Sequence, residues 1–238
     1  MDKDEIRQKA ETFARENRKH IAKSLTDLSR FAPEDTPISI FMAGSPGAGK
    51  TEFSKRLIEL FDTDGGNKIV RIDPDELRDF IPGYDGNNSY LFQTAVSLIT
   101  EKIHDLVLIN KQSFLLDGTF SKYDKAVDNV KRSISKGRTT FIFYIYQRPE
   151  VAWRFTQARE IVEGRHIPKG TFIEQFLGSR DVVEKIYRNF SKQVLVYLVK
   201  KDFETHKVEN IVLLEPSKDG VEDYLGKLYN VDELEKIL

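Results

Sequence analysis

The chain has 238 residues, 39% of them hydrophobic and 32% charged, which supports one large α/β domain with a charged surface. Its 37 Lys and Arg against 38 Asp and Glu leave a net charge of −1, so no global field draws it to nucleic acid, and no nucleic-acid partner is expected. The absence of cysteine excludes disulfides, thiolate metal sites and a cysteine nucleophile.

The charged start Met1-Asp2-Lys3-Asp4-Glu5 lacks the apolar stretch of a signal peptide. No apolar run approaches membrane-spanning length, so no membrane contact is expected and the compartment is read as cytoplasmic. Residues 4–30 read as a polar helix, or two, with Phe13, Ile21, Leu25 and Leu28 as its apolar positions. Such a helix packs on the edge of a core in preference to reaching out as a partner-binding arm. Pro33 and Pro37 punctuate the connector that follows. Residues 1–36 are thus expected to form an N-terminal helical extension, and 37–238 the main domain.

Residues 38–43, Ile-Ser-Ile-Phe-Met-Ala, read as a buried strand. Then comes Gly44-Ser45-Pro46-Gly47-Ala48-Gly49-Lys50-Thr51, which fits the phosphate-binding pattern G-x-x-x-x-G-K-[S/T] at every fixed position. Residues 52–61 read as the helix that the pattern requires, with Phe53, Leu57, Leu60 and Phe61 on its apolar side. Gly65-Gly66 reads as a turn, 68–72 as a second strand, 90–110 as a long amphipathic helix and 113–116 as a third strand. A helix over 122–136 is ended by Gly137, and 140–146 is a fourth strand. Residues 150–163 and 171–199 read as helices, 210–214 as the last strand, and 221–238 as a closing helix. Strands alternating with helices predict an α/β, P-loop kinase-like three-layer fold: a mostly parallel central sheet with helices on both faces, plus the N-terminal extension.

In such a sheet ligands bind beyond the carboxyl ends of the strands, so the polar residues there carry the chemistry. A helix N-terminus offers free N–H donors and partial positive charge, which phosphate oxygens satisfy. Lys50 is expected to reach the β- and γ-phosphates of a nucleotide, and Thr51 to hold Mg²⁺ through its hydroxyl. The second strand ends in Asp73-Pro74-Asp75-Glu76-Leu77-Arg78. Asp75 is the expected base, accepting the proton of an acceptor hydroxyl; the alternative is a helix cap. Asp73 either assists or holds the turn before Pro74. Arg78 either binds an acidic substrate or pairs with Asp75. The third strand ends in Leu116-Asp117-Gly118-Thr119, a Walker-B-like position. Asp117 would act on Mg²⁺ through water or on the acceptor hydroxyl, with Thr119 beside it; a plain Asp-Gly turn is the alternative. Arg159 and Arg165 flank Gly164, as lid arginines flank a hinge, and the lid would span about 159–170. A solvated charged helix end is the blander reading there, and His166 reads as a surface histidine.

The ordered set G-S-P-G-A-G-K-T, I-D-P-D-E-L-R, L-L-D-G-T and A-R-E-I-V-E-G-R-H-I-P-K resembles the zeta toxin family of small kinases, over about residues 37–180. The resemblance implies ATP- or GTP-dependent phosphorylation of a nucleotide sugar, UDP-N-acetylglucosamine, and an antitoxin partner. It places the family's catalytic aspartate on Asp75, its phosphate-loop residues on Lys50 and Thr51, its Gly-Thr on Gly118-Thr119 and its lid arginines on Arg159 and Arg165. One position departs: the family usually has Glu before the Gly-Thr, as a sugar-binding carboxylate, where this chain has Asp117, which leaves the exact sugar open. The layout also resembles polynucleotide 5′-kinases of the bacteriophage type, with Asp75 and Arg78 as base and arginine. A nucleotide-regulated interaction module is a third reading.

Overall fold

The computed structural model describes residues 2–62, 68–164, 166–201, 208–215 and 220–238. Its centre is β1 (Ile38–Ala43), in which Phe41 and Ala43 face one layer and Ile40 and Met42 the other. Successive strand side chains point to opposite faces, so a strand buried on both reads as a continuous apolar run. The second face is covered by α2 (Lys50–Asp62) through Phe53, Leu57 and Ile58. The first carries α1 (Lys3–Leu25), α3 (Gln93–Ile109), α4 (Tyr123–Ser135) and α6 (Lys169–Phe190).

Six strands form the sheet in the order β2-β3-β1-β4-β5-β6, where β2 is Val70–Ile72, β3 Phe114–Leu116, β4 Thr139–Tyr146, β5 Val194–Lys201 and β6 Val208–Leu213. All neighbouring pairs are parallel except β5 with the edge strand β6. The three-layer, mostly parallel architecture expected from the sequence is the one observed. The chain leaves β1 toward β2 on one side and leaves its neighbour β4 toward β5 on the other, so these connections diverge and open a crevice at the carboxyl ends of the two strands.

Several elements differ from the sequence expectation. The stretch 171–199 is not one helix: α6 stops at Phe190 and β5 follows from Val194. Val194, Val196 and Leu198 alternate into the main core, a period of two that packs on a pleated surface and not along a helix face. In α2, Phe53 and Leu57 pack on the core as expected, joined by Ile58, while Leu60 and Phe61 are 71% and 43% exposed. The stretch 221–238 forms two short helices, α7 (Val221–Leu225) and α8 (Val231–Ile237). Gly226 separates them at φ 80°, and Asn230 opens α8 with a capping box to Glu233. The long helix α3 begins at Gln93, after a short 3-10 turn at Ser89–Leu91. The expected Gly65-Gly66 turn lies outside the described residues.

The helix α1 lies along α3 and buries Ile21 together with Ala10, Ala14 and Ala22, whose small side chains allow close approach. Leu28, expected as one of its apolar positions, is past its end and 52% exposed. Gln112, fully buried, donates from Nε2 to the carbonyls of Thr26 (2.9 Å) and Phe31 (2.7 Å), pinning the connector to β3.

Candidate active site

The phosphate loop bridges β1 and α2, so the N-terminus of α2 points into the crevice. Gly47 sits at φ +70°, and a Cβ there would come within 2.0 Å of the Ala152 carbonyl oxygen, so only glycine fits this close approach. The Gly44 N–H donates to the Thr119 carbonyl (3.1 Å), fixing the start of the loop to the end of β3. The Lys50 ammonium curls over the loop and donates to the carbonyls of Gly44 (2.9 Å) and Ser45 (2.7 Å). Gly44 and Ser45 are buried beneath; Pro46, Gly47, Ala48, Gly49, Lys50 and Thr51 line the cleft above.

The acids gather at the ends of β2 and β3. Arg71, on β2, is their organising cation: its guanidinium donates to Asp73 Oδ2 (2.5 Å), Glu76 Oε1 (2.6 Å) and Asp117 Oδ2 (2.9 Å). Burial alone would lower the Arg71 pKa, but Asp73, Glu76 and Asp117 outweigh it and hold the group protonated. Burial pushes the Asp73 carboxyl up to about 6, the charges of Asp75 and Asp117 push it the same way, and Arg71 opposes them. Asp73 Oδ1 accepts from the Asp75 N–H (2.8 Å), so Asp73 holds the turn that presents Asp75. Asp75 pairs with Arg78, one turn on, and makes no side-chain cap to the short 3-10 helix Glu76–Phe80 that it precedes. Arg78 is 3% exposed with its Nε unpartnered, and it lines the cleft. Asp117 Oδ2 also accepts from Ser54 Oγ (2.8 Å), and Ser54 donates to the Thr51 carbonyl as well, which places Asp117 beside the turn of α2 that carries Thr51. The Thr119 hydroxyl shares a hydrogen bond with Ser121 (3.0 Å).

On the other side α5 (Pro149–Glu163) brings Phe155, Thr156 and Arg159 to the same cleft. Gly164 ends α5 in the left-handed region at φ 70°. Arg165 lies outside the described residues. His166 is on the surface, with Nδ1 2.6 Å from Glu160. One cleft of about 780 Å³ therefore joins Lys50, Thr51, Asp73, Asp75, Arg78, Asp117, Thr119 and Arg159. Sequence reasoning missed Arg71, Ser54 and Lys201, which lines the cleft from the end of β5. For Arg71 a signal was present, since a charged residue between Val70 and Ile72 interrupts an apolar strand and calls for a counter-charge.

The oxygen donors suit a hard cation: the Thr51 hydroxyl and Asp117 supply oxygens of the kind Mg²⁺ takes alongside substrate phosphates. No group of three or more metal-binding side chains occurs among the described residues. Among the described residues no helix is long and apolar enough to cross a membrane.

A mostly parallel central sheet, a phosphate loop after its strand β1 and acids at the ends of β3 and β2 on one side of it define a P-loop kinase-like fold. The sequence matches the zeta toxin family over residues 21–213, and the chain belongs to that family. No curated protein matches it. Among solved structures it is similar to one described as the PezAT chromosomal toxin–antitoxin system of Streptococcus pneumoniae, with TM-score 0.68 and 19% identity over 93% of each chain. It is also similar to AvrRxo1-ORF1:-ORF2 with ATP, with TM-score 0.57 and 14% identity over 88% of this chain and 65% of that one. At these identities the likeness is one of fold.

Proposed function

We propose that the protein is an ATP- or GTP-dependent kinase that transfers the γ-phosphate to a sugar hydroxyl of a nucleotide sugar, with UDP-N-acetylglucosamine as the acceptor implied by the family. The observation that carries this reading is the opposition of Asp75 to the phosphate loop across one cleft. Phosphoryl transfer needs positioning and charge stabilisation more than covalent help. The backbone N–H groups at the start of α2 and Lys50 would hold the β- and γ-phosphates. Asp75, oriented by Arg78 and by the turn that Asp73 holds, would take the proton of the acceptor hydroxyl as it attacks in line. Arg159, and Arg165 by the family resemblance, would neutralise charge on the transferring group. Thr51 and Asp117 would hold Mg²⁺, which would neutralise charge on the donor phosphates.

An anionic acceptor is supported by Arg78 and by Lys122 and Lys125, at the start of α4, all of which line the cleft. A diphosphate-linked sugar suits those cations. Thr119 and Asp117 would address its hydroxyls. The PezAT structure is described as a toxin–antitoxin system, and by family resemblance an antitoxin is the partner to expect here. Lys50→Ala tests the phosphate-loop assignment: phosphoryl transfer should vanish while the melting temperature stays near that of the native chain. An unchanged rate in that variant would remove the loop from the mechanism.

A further inference from the structure

Lys201 is the last residue of β5, and its ammonium reaches the cleft beside the phosphate loop. A Cβ built on Gly49 would meet Lys201 Nζ at 2.0 Å, so the ammonium rests against the loop backbone one residue before Lys50. The residue is only 9% exposed. It makes no hydrogen bond or ion pair among the described residues. Burial pushes its pKa down, with Glu52 opposing and Arg56 adding to the effect. An ammonium has three donors and no acceptor, and this one opens to the cleft, so its partners come from what the cleft holds. Packing alone would be served better by a methionine or leucine. An anion brought by the ligand would satisfy it.

The sheet order says which part of the ligand this is. Asp73, Asp75 and Asp117 follow β2 and β3, on one side of β1; Lys201 ends β5, on the other. A γ-phosphate that faces Asp75 leaves the rest of the donor to extend toward β4 and β5. We infer that Lys201 is a second phosphate-binding lysine, holding the phosphates of the donor nucleotide that are not transferred while Lys50 works at the transferring end. This rests on the nucleotide-binding reading above. Such a contact is equally strong in ground and transition states, so it serves affinity and not turnover.

The test is calorimetric titration of the full chain with Mg²⁺-ADP, which lacks the transferred phosphate, in native, Lys201→Met and Lys201→Arg forms. Methionine keeps the stem and removes the charge. Loss of a charge-assisted hydrogen bond predicts that Lys201→Met binds ADP about tenfold more weakly. Lys201→Arg should retain most of the affinity, and the melting temperature of Lys201→Met without nucleotide should be unchanged or higher. ADP affinity within about twofold of native in Lys201→Met would overturn the inference, as would equal losses in both variants. A native chain that fails to bind ADP would overturn the phosphate-loop reading itself and this inference with it, a result distinct from the other two.

Discussion

Asp73 and His104 are buried groups whose charge the fold resists, and they give stability opposite dependences on pH. Asp73 has its pKa raised to about 6 from 3.8, chiefly by burial and then by Asp75 and Asp117. The unfolded chain releases this proton first, so the contribution of Asp73 is full below about 3.8 and is lost as pH rises through about 6. Asp73→Asn, which keeps the group neutral, should therefore be more stable than the native chain at pH ~8, by on the order of 1–3 kcal/mol, with the gain shrinking toward pH ~4. Thermal melts of both forms across that range check it, and a variant less stable at every pH would show that the bond from Arg71 outweighs burial. His104 packs against Phe41 and Phe114, and burial, followed by the charges of Arg132, Arg138 and Lys125, pushes its pKa down to about 3. Its contribution is present above about 6.5 and is lost as pH falls toward 3. His104→Gln should lose less stability than the native chain between pH ~6.5 and ~4, whatever its starting stability. Parallel melting curves would contradict this.

At the scale of elements, β5 is the piece on which the site depends and which the sequence hid. It lies between β4 and β6, and Leu198 on it is fully buried. Leu198→Ala should cost about 2–5 kcal/mol in chemical unfolding, as a large-to-small change in a packed core does. A cost within the range of surface substitutions would mean that this strand is not a core element. The phosphate loop was legible because its physics is local: glycines for tight backbone, an apolar run before it and helical spacing after it. The order of the central elements was legible too, since β1, β3 and β4 are continuous apolar runs. The junction of α6 and β5 was not, because Ser191-Lys192-Gln193 carries neither Gly nor Pro to end a helix. Arg71 and Lys201 acquire their roles only when the sheet brings distant strand ends together. No spacing within one segment encodes that Arg71 faces Asp117, 46 residues away. Asp75 and Asp117 were legible as candidates because each lies within three residues of a strand end, but the cap and turn alternatives needed side-chain geometry to be weighed.

Over the whole molecule, the strand order turns separate segments into one cleft with a direction. Acids stand at the β2 and β3 ends, the phosphate loop in the middle and the α5 arm with Lys201 beyond it. A donor nucleotide and a hydroxyl acceptor can enter such a cleft from opposite sides and meet at Asp75. The near-neutral total charge leaves the work to local cations, Lys50, Arg78 and Arg159. The central claim is that this cleft phosphorylates the sugar of a nucleotide sugar with Asp75 as base. Mass spectrometry of UDP-N-acetylglucosamine incubated with Mg²⁺-ATP or Mg²⁺-GTP tests it most directly, using the native chain and Asp75→Asn beside a 5′-hydroxyl oligonucleotide. The account predicts a phosphorylated nucleotide sugar from the native chain, formed about 10²–10⁴-fold more slowly by Asp75→Asn at an unchanged melting temperature. A phosphorylated oligonucleotide with the nucleotide sugar untouched, or an undiminished rate in Asp75→Asn, would contradict it.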